Sequence, residues 1–197
     1  CIRDSLWFYA SGLKKTLLLG NVIVAFCSAM VVILIGLYEV TLHPDNVAFI
    51  GGFKAKPIYQ FLLVYTFFAF VTTIIREIIK DIEDIKGDEA FGSQSLPISK
   101  GVMTSKVIVT VIVIGSLIAL VLLLQYFYRT SDWIIFYYGT LAIGLPILIF
   151  NILLFYSKTK KAYHRLSTYL KLIMLLGILY IPLYFYQLQV TFKALGV

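Results

Sequence analysis

Five long runs of apolar residues constrain this chain more than any other feature. They cover residues 17–40, 57–75, 107–128, 133–156 and 172–192. Each run is long enough to cross the hydrocarbon of a bilayer, which takes ~20 residues at ~1.5 Å per residue. Backbone groups in lipid must be hydrogen-bonded within the protein, so runs of this length predict helices rather than the shorter, alternating strands of a barrel. We therefore predict an all-α, polytopic membrane helical bundle with five spans.

Composition excludes several other classes of protein. Of the 197 residues, 60% are hydrophobic and 14% are charged, whereas a soluble domain has about a quarter of its residues charged. The abundance of Leu, Ile, Val and Phe excludes a disordered chain, and two cysteines, Cys1 and Cys27, are too few for a disulfide scaffold. The net charge of +7 does not indicate nucleic acid, because the basic residues are spread between the apolar runs. Nothing in the sequence requires a protein partner.

The distribution of basic residues predicts the orientation in the membrane. If the five runs alternate in direction, 13 of the 17 basic residues fall on one side. Those residues are Arg3, Lys14, Lys15, Arg76, Lys80, Lys86, Lys100, Lys106, Lys158, Lys160, Lys161, Arg165 and Lys171. Because basic loops stay in the cytoplasm, we expect the segment 76–101 to be cytoplasmic and the C-terminus to lie outside. The predicted location is an integral, multi-pass position in the membrane, the cell membrane in a prokaryote.

Acidic residues are concentrated just after the second apolar run. Six of the ten lie between residues 77 and 89, and they are Glu77, Asp81, Glu83, Asp84, Asp88 and Glu89. At ~100° per residue, four of them would project from one face of a continuing helix. These four are Glu77, Asp81, Asp84 and Asp88.

Carboxylates stacked on one face repel each other, so a cation is expected among them. Hard oxygen ligands at this spacing suit Mg²⁺, which commonly bridges protein carboxylates to substrate phosphates. Arg76 and Lys80 flank the same face and can either pair with the carboxylates or bind diphosphate oxygens. The alternative is a solvated helix end with internal ion pairs. The Gly-rich turn and the Leu-Pro pair that follow favour a site.

Two segments resemble a known family. Residues 76–88 read Arg-Glu-Ile-Ile-Lys-Asp-Ile-Glu-Asp-Ile-Lys-Gly-Asp, with Gly at 92 and Ser-Leu-Pro at 95–97. This segment resembles the second aspartate-rich motif of the UbiA superfamily of intramembrane prenyltransferases, and it is most similar to the digeranylgeranylglyceryl phosphate synthase branch. Upstream, Trp-Phe-Tyr-Ala-Ser-Gly-Leu-Lys-Lys at 7–15, followed by Gly-Asn at 20–21, resembles the family's cytoplasmic segment between its fourth and fifth spans.

The resemblance implies Mg²⁺-dependent transfer of a prenyl group from a polyprenyl diphosphate to a lipophilic acceptor, with geranylgeranylglycerol phosphate as the first choice. Metal and basic residues would stabilise the departing diphosphate, and an apolar cavity would protect the allylic carbocation from water. The residues implied are Asp81 and Asp84 as catalytic, Mg²⁺-linked carboxylates, Asp88 as the third metal ligand, Arg76, Lys80 and Lys14 as diphosphate contacts, and Tyr9 as a polar contact beside them.

One departure from the family pattern affects the expected activity. The resemblance implies nine spans, of which the five here would be the fifth to the ninth, so residues 1–197 are expected to be the C-terminal part of one such domain. The family's first motif, of the form Asn-Asp-x-x-Asp, has no match in this sequence. We therefore expect the chain to carry half of the metal site and to be inactive by itself.

Other functions compete with this interpretation. Within the same family, the acceptor could be aromatic, of the quinone, homogentisate or chlorophyllide type. A CDP-alcohol phosphotransferase is disfavoured because its Asp-x-x-Asp-Gly pattern is missing: Asp84 is followed by Ile85. A non-catalytic channel or transporter with an acidic mouth is a further alternative, although it predicts acidic residues along a path through the spans. The basic run at 158–165 is interpreted as an anchor for lipid headgroups.

Overall fold

The structure, a computed structural model, describes residues 18–42, 55–130 and 132–194. In chain order its helices are α1 (Leu19–Leu42), α2 (Ala55–Glu83), α3 (Ile85–Ala90), α4 (Leu96–Lys100), α5 (Val102–Arg129), α6 (Trp133–Tyr138), a π-helical segment (Gly139–Gly144), α7 (Leu145–Tyr156) and α8 (Lys160–Ala194). These described ranges contain no β-strand. The prediction of an all-α fold is confirmed.

Five helical stretches are long and apolar enough to cross a membrane. They are Leu19–Tyr38, Leu62–Glu83, Val102–Arg129, Trp133–Tyr156 and Lys160–Tyr184. Large apolar side chains such as Phe26, Leu122 and Ile152 are more than half exposed on their outer faces. Surfaces this apolar are expected only where hydrocarbon replaces water around the protein. The arrangement is therefore a polytopic membrane bundle.

Helix α2 lies at the centre of the bundle and packs against α1, α5 and α8. One face of α2 supplies Ile75, Ile78 and Ile79, which are almost fully buried. Their partners come from the other helices, and the most deeply buried are Leu96, Val109, Val113, Phe150, Leu154, Leu166, Leu170 and Ile173. This core lies toward the end of the bundle at which α2 meets the acidic segment.

The fourth span contains a π-helical segment between α6 and α7. Pro146 follows the segment and lacks the N–H that a straight α-helix would bond to the carbonyl of Ala142. The wider π turn accommodates this loss without ending the helix. Gly139 begins the segment, where a Cβ atom would lie 2.5 Å from Cδ2 of Leu124. The absence of a side chain there lets α5 approach closely.

Two helices extend beyond the apolar runs that predict them. Helix α2 continues past residue 75 to Glu83, and α8 begins at Lys160 rather than near residue 172. The extensions are polar, yet each buries one apolar face, with Ile78 and Ile82 on α2 and Leu166 and Leu170 on α8. Packing between these faces stabilises the polar ends of the two helices, which an apolar-run criterion does not detect.

Phe150 provides a test of the core. Replacing this fully buried side chain by Ala (Phe150→Ala) should lower the free energy of unfolding by about 3–5 kcal/mol, because it removes apolar contacts and leaves a cavity. Phe155→Ala, on the same helix at a site that is 42% exposed, is the matched control and should cost much less. Denaturant unfolding in mixed micelles measures both, and equal losses would contradict the packing described.

Candidate active site

Asp81 lies where α2 emerges from the apolar core, and it points toward α1. Its Oδ2 accepts a 2.7 Å hydrogen bond from Nδ2 of Asn21. The side chain is only partly exposed to solvent. Asn21 belongs to the upstream Gly-Asn pair, to which sequence reasoning assigns no role. This contact therefore joins the two segments that carry the family resemblance.

Other charges surround Asp81 on the same stretch of chain. The carboxylates of Asp88 and Glu77 lie near enough to repel its charge, and the ammonium of Lys80 lies near enough to attract it. Arg76 NH1 donates a 3.0 Å hydrogen bond to Oε1 of its neighbour Glu77. The shared acidic face is thus present for these carboxylates, with one internal ion pair.

The acidic segment changes direction slightly at Asp84. Helix α2 ends at Glu83, and Asp84 caps the short helix α3 with φ −105° and ψ 15°. The backbone bonds continue, because the N–H of Asp84 donates to Lys80 and the N–H of Asp88 donates to Asp84. Gly87 lies inside α3 and does not end it. The helical spacing of the three aspartates is therefore largely kept.

A tight turn at Gly92 and the buried side chain of Leu96 fix the end of this segment. Gly92 adopts φ +66°, a left-handed conformation that favours glycine, and its N–H donates to Glu89 while that of Ser93 donates to Asp88. These two bonds form a Schellman motif that closes α3. Leu96, at the start of α4, is 1% exposed and packs in the main core. The Ser-Leu-Pro ending thereby fixes the acidic segment to the bundle.

Two basic groups of α8 contact the same segment. Nζ of Lys160 lies 2.9 Å from Oδ1 of Asp84, and Nδ1 of His164 lies 2.9 Å from Oε1 of Glu83. Asp81 and Asp84 thus contact different helices, α1 and α8. Sequence reasoning missed Lys160, because it assigned the basic run at 158–165 to lipid headgroups, and it missed His164, which it interpreted as a solvated loop histidine; His164 lies on α8 instead. Their four-residue spacing is the only signal, and it does not identify partners so distant in sequence.

An apolar cavity of about 690 Å³ lies deeper in the bundle. Helices α2, α5, the π-helical segment and α8 line it, mainly with apolar and aromatic residues that include Phe68, Leu123, Ile143, Gly177 and Tyr180. On α2 its wall ends at Thr72, nine residues and ~13 Å before Asp81 at ~1.5 Å per residue. Buried isoleucines of α2 occupy the interval. The cavity has the size and lining of a site for a small lipophilic molecule.

The donor set suits a hard cation but does not enclose one by itself. Within the described parts of the chain, no group of three or more His, Cys, Asp or Glu side chains is arranged to hold a metal ion. Mg²⁺ commonly binds only one or two protein carboxylates and completes its shell with water and substrate phosphates. Asp81 with Asp88, whose charge acts on it, fits that mode of binding.

The other predicted site residues divide into two groups. Arg76 and Lys80 lie on α2 beside Glu77 and Asp81, and Lys80 is exposed to solvent. Tyr9 and Lys14 lie outside the described residues. Their predicted contacts with diphosphate remain predictions from the resemblance.

Comparison with known proteins agrees with the motif resemblance. The model of the UbiA prenyltransferase family matches residues 5–175. The chain is 31% identical over 170 residues to the digeranylgeranylglyceryl phosphate synthase of Methanosphaera stadtmanae, an alignment that covers 86% of this chain and 55% of that protein. It is also 31% identical over 173 residues to the synthase of the same name from Methanobrevibacter smithii, covering 87% and 54%. No solved structure matches.

The bond between Asn21 and Asp81 can be measured directly. We expect Asn21→Ala to lower the free energy of unfolding by about 1.5–3 kcal/mol, since the bond is made to a charged group. Ser28→Ala, on the same helix, removes only a bond to the backbone of Val24 and should cost less. In a double-mutant cycle with Asp81→Ala, which removes the acceptor oxygens, the two effects should be non-additive. Additive losses would show that the two side chains do not interact.

Proposed function

Because the chain belongs to the UbiA prenyltransferase family, we propose that it forms part of an enzyme that transfers a prenyl group from a polyprenyl diphosphate to geranylgeranylglycerol phosphate. The chain spans about half the length of the curated relatives it matches. We assign it to the last five helices of a nine-helix domain. The remaining helices would supply the first aspartate motif.

The observation that carries this proposal is the position of Asp81. A carboxylate held by Asn21 at 2.7 Å lies at the end of a membrane helix, beside two further carboxylates and a lysine. The buried face of α2 lies beside it, with Ile78 three residues before Asp81 and Ile82 directly after it. A diphosphate bound at this boundary would keep its charges among polar groups while its prenyl chain enters an apolar region.

Asp81 and Asp84 are the proposed Mg²⁺ ligands, with Asp88 as the third carboxylate. When bound, the metal would neutralise negative charge on the leaving diphosphate. Arg76 and Lys80 would donate hydrogen bonds to diphosphate oxygens. Lys14 and Tyr9 are proposed for the same group on the basis of the resemblance.

The chain's own residues also provide the environment that the reaction requires. The C–O bond between the prenyl group and the diphosphate breaks, and its electron pair leaves with the diphosphate. The acceptor hydroxyl then forms the new C–O bond and loses its proton. Exclusion of water protects the allylic cation until that attack. The packed isoleucines of α2 and the apolar cavity beyond them supply a water-poor surrounding.

The choice of acceptor rests on the named relatives. Two archaeal synthases that act in digeranylgeranylglyceryl phosphate formation, as their names state, align with most of this chain. An aromatic acceptor has no comparable support. Membership in an enzyme family also disfavours the channel or transporter alternative.

Charge-removing substitutions test the proposed metal site. Asp81→Asn and Asp84→Asn should each weaken Mg²⁺-dependent binding of geranylgeranyl diphosphate by roughly tenfold or more, because each removes a carboxylate that the metal needs. Glu89→Gln, an exposed change in the same segment, should leave binding unchanged. Equilibrium binding with radiolabelled diphosphate, with and without EDTA, measures all three. Wild-type strength in both Asn variants would refute the assignment.

The proposed orientation places the acidic segment in the cytoplasm and the turn after α5 outside. In a background with Cys1 and Cys27 replaced by Ser, Lys100→Cys should react with a membrane-impermeant maleimide only after the membrane is opened. Thr130→Cys should react in intact cells, because the basic loops are retained inside. The reverse labelling pattern would invert the topology.

A further inference from the structure

The hairpin between α7 and α8 carries a lysine to the proposed site. Lys160 is the first residue of α8, and its Nζ lies 2.9 Å from Oδ1 of Asp84. His164 makes a second contact one turn further along, to Glu83. Both contacts cross between the same two elements. The hairpin is therefore aligned with the acidic segment through two points rather than one.

Buried groups fix the base of this hairpin. The carbonyl of Ser157 accepts hydrogen bonds from Nζ of Lys106 at 2.7 Å and from the hydroxyl of Tyr163 at 2.9 Å. Lys106 is 7% exposed, and its Nζ lies 5.5 Å from the centroid of the Tyr163 ring. A cation is favoured at this position because the helix α7 ends there, where carbonyl groups point outward. Thr159 then caps α8 by accepting the N–H of Ala162.

The lysine that this base supports is itself free to move. The Lys160 side chain is 69% exposed, and that of Asp84 is 47% exposed. Ion pairs this exposed contribute little to stability, so stabilisation of the fold does not explain the contact between Lys160 and Asp84. The backbone of Lys160 is fixed by the hairpin, while its flexible four-carbon side chain lets the ammonium group move from one anionic partner to another nearby.

Resting on the proposed function, we infer that Lys160 is a diphosphate-binding residue that Asp84 holds at the site until substrate arrives. The carboxylate of Asp84 pairs with the lysine in the ligand-free protein. If Asp84 bound a divalent cation, the ammonium group of Lys160 would be released to donate hydrogen bonds to a diphosphate held beside it. The diphosphate carries more negative charge than a single carboxylate and presents several oxygens, so it is the stronger partner.

The glutamate contact allows this exchange to occur without loss of the hairpin. Glu83 is only 13% exposed, and its Oε1 lies 2.9 Å from Nδ1 of His164. This contact does not involve Asp84, so it persists when Lys160 changes partner. The lysine therefore stays within one side-chain length of the site throughout.

If Lys160 exchanges partners in this way, its removal should strengthen the binding of a metal ion alone and weaken the binding of the diphosphate. In Lys160→Gln, Asp84 loses its competing cation, so Mn²⁺ alone should bind about two- to fivefold more tightly, as measured by electron paramagnetic resonance. Binding of geranylgeranyl diphosphate at saturating Mg²⁺ should weaken about five- to tenfold, because a charge-assisted hydrogen bond is lost. Lys160→Arg should restore diphosphate binding.

Lys161→Gln is the matched control. It removes the same charge from the adjacent exposed position and should change neither binding constant more than about twofold, because exposed charges are screened. All variants are measured in the full protein purified in detergent.

Four outcomes would overturn the inference. If Lys160→Gln and Lys161→Gln behave alike, Lys160 has no specific part in binding. If Lys160→Gln weakens both Mn²⁺ and diphosphate binding, its role is structural. If the wild-type protein binds geranylgeranyl diphosphate without any dependence on Asp81 or Mg²⁺, the proposed function fails, and this inference fails with it. Loss confined to Asp81→Asn, with Lys160→Gln unchanged, leaves the proposed function and rejects only the role of Lys160.

Discussion

Hydrocarbon offers no hydrogen-bond partners to a polypeptide, and the rest of this structure follows from that constraint. Backbone groups must be bonded within each segment, which makes the spans helical. Charged side chains are confined to the ends of those helices, where water or other charges can reach them. Helix α2 and the short α3 illustrate both consequences: residues 57–75 carry no charge, and six acidic residues then follow between positions 77 and 89. Binding of charged ligands is thereby restricted to the membrane boundary.

The negative charges of a carboxylate cluster at that boundary need hydrogen-bond or ion-pair partners, and neighbouring helices supply them. Asn21 of α1 bonds Asp81, while Lys160 and His164 of α8 contact Asp84 and Glu83. The site is therefore assembled from three helices that are far apart in sequence. The buried side chain of Leu96 fixes the acidic segment that follows α2, and the hydrogen bonds to the carbonyl of Ser157 fix the start of α8. Partners that are polar and exposed leave the carboxylates available to a ligand.

Periodicity predicted much of this arrangement, and packing explains where it fell short. The spacing of Asp81, Asp84 and Asp88 indicated a common helical face; the charges of Glu77 and Asp88 do act on Asp81, whereas Asp84 pairs with Lys160 of α8. The spacing did not indicate that Asp81 and Asp84 would contact different helices. The basic run at residues 158–165 was interpreted as an anchor for lipid headgroups, whereas in the structure Lys160 and His164 contact acidic side chains. The continuation of α2 into the acidic segment was expected, but the first turns of α8 were missed, because packing of their apolar face in the core, rather than a run of apolar residues, stabilises them.

The sequence alone determined the membrane-spanning helices, the all-α class, the family and the identity of the acidic segment, because each depends on local composition or on the order of nearby residues. Only the tertiary structure decided which groups compensate that segment. Asn21 and Asp81 are 60 residues apart, and Asp84 and Lys160 are 76 apart. Helical periodicity relates residues three or four positions apart. Contacts over such distances depend on which faces of α1, α2 and α8 pack together, and that choice is made by burial across the whole bundle.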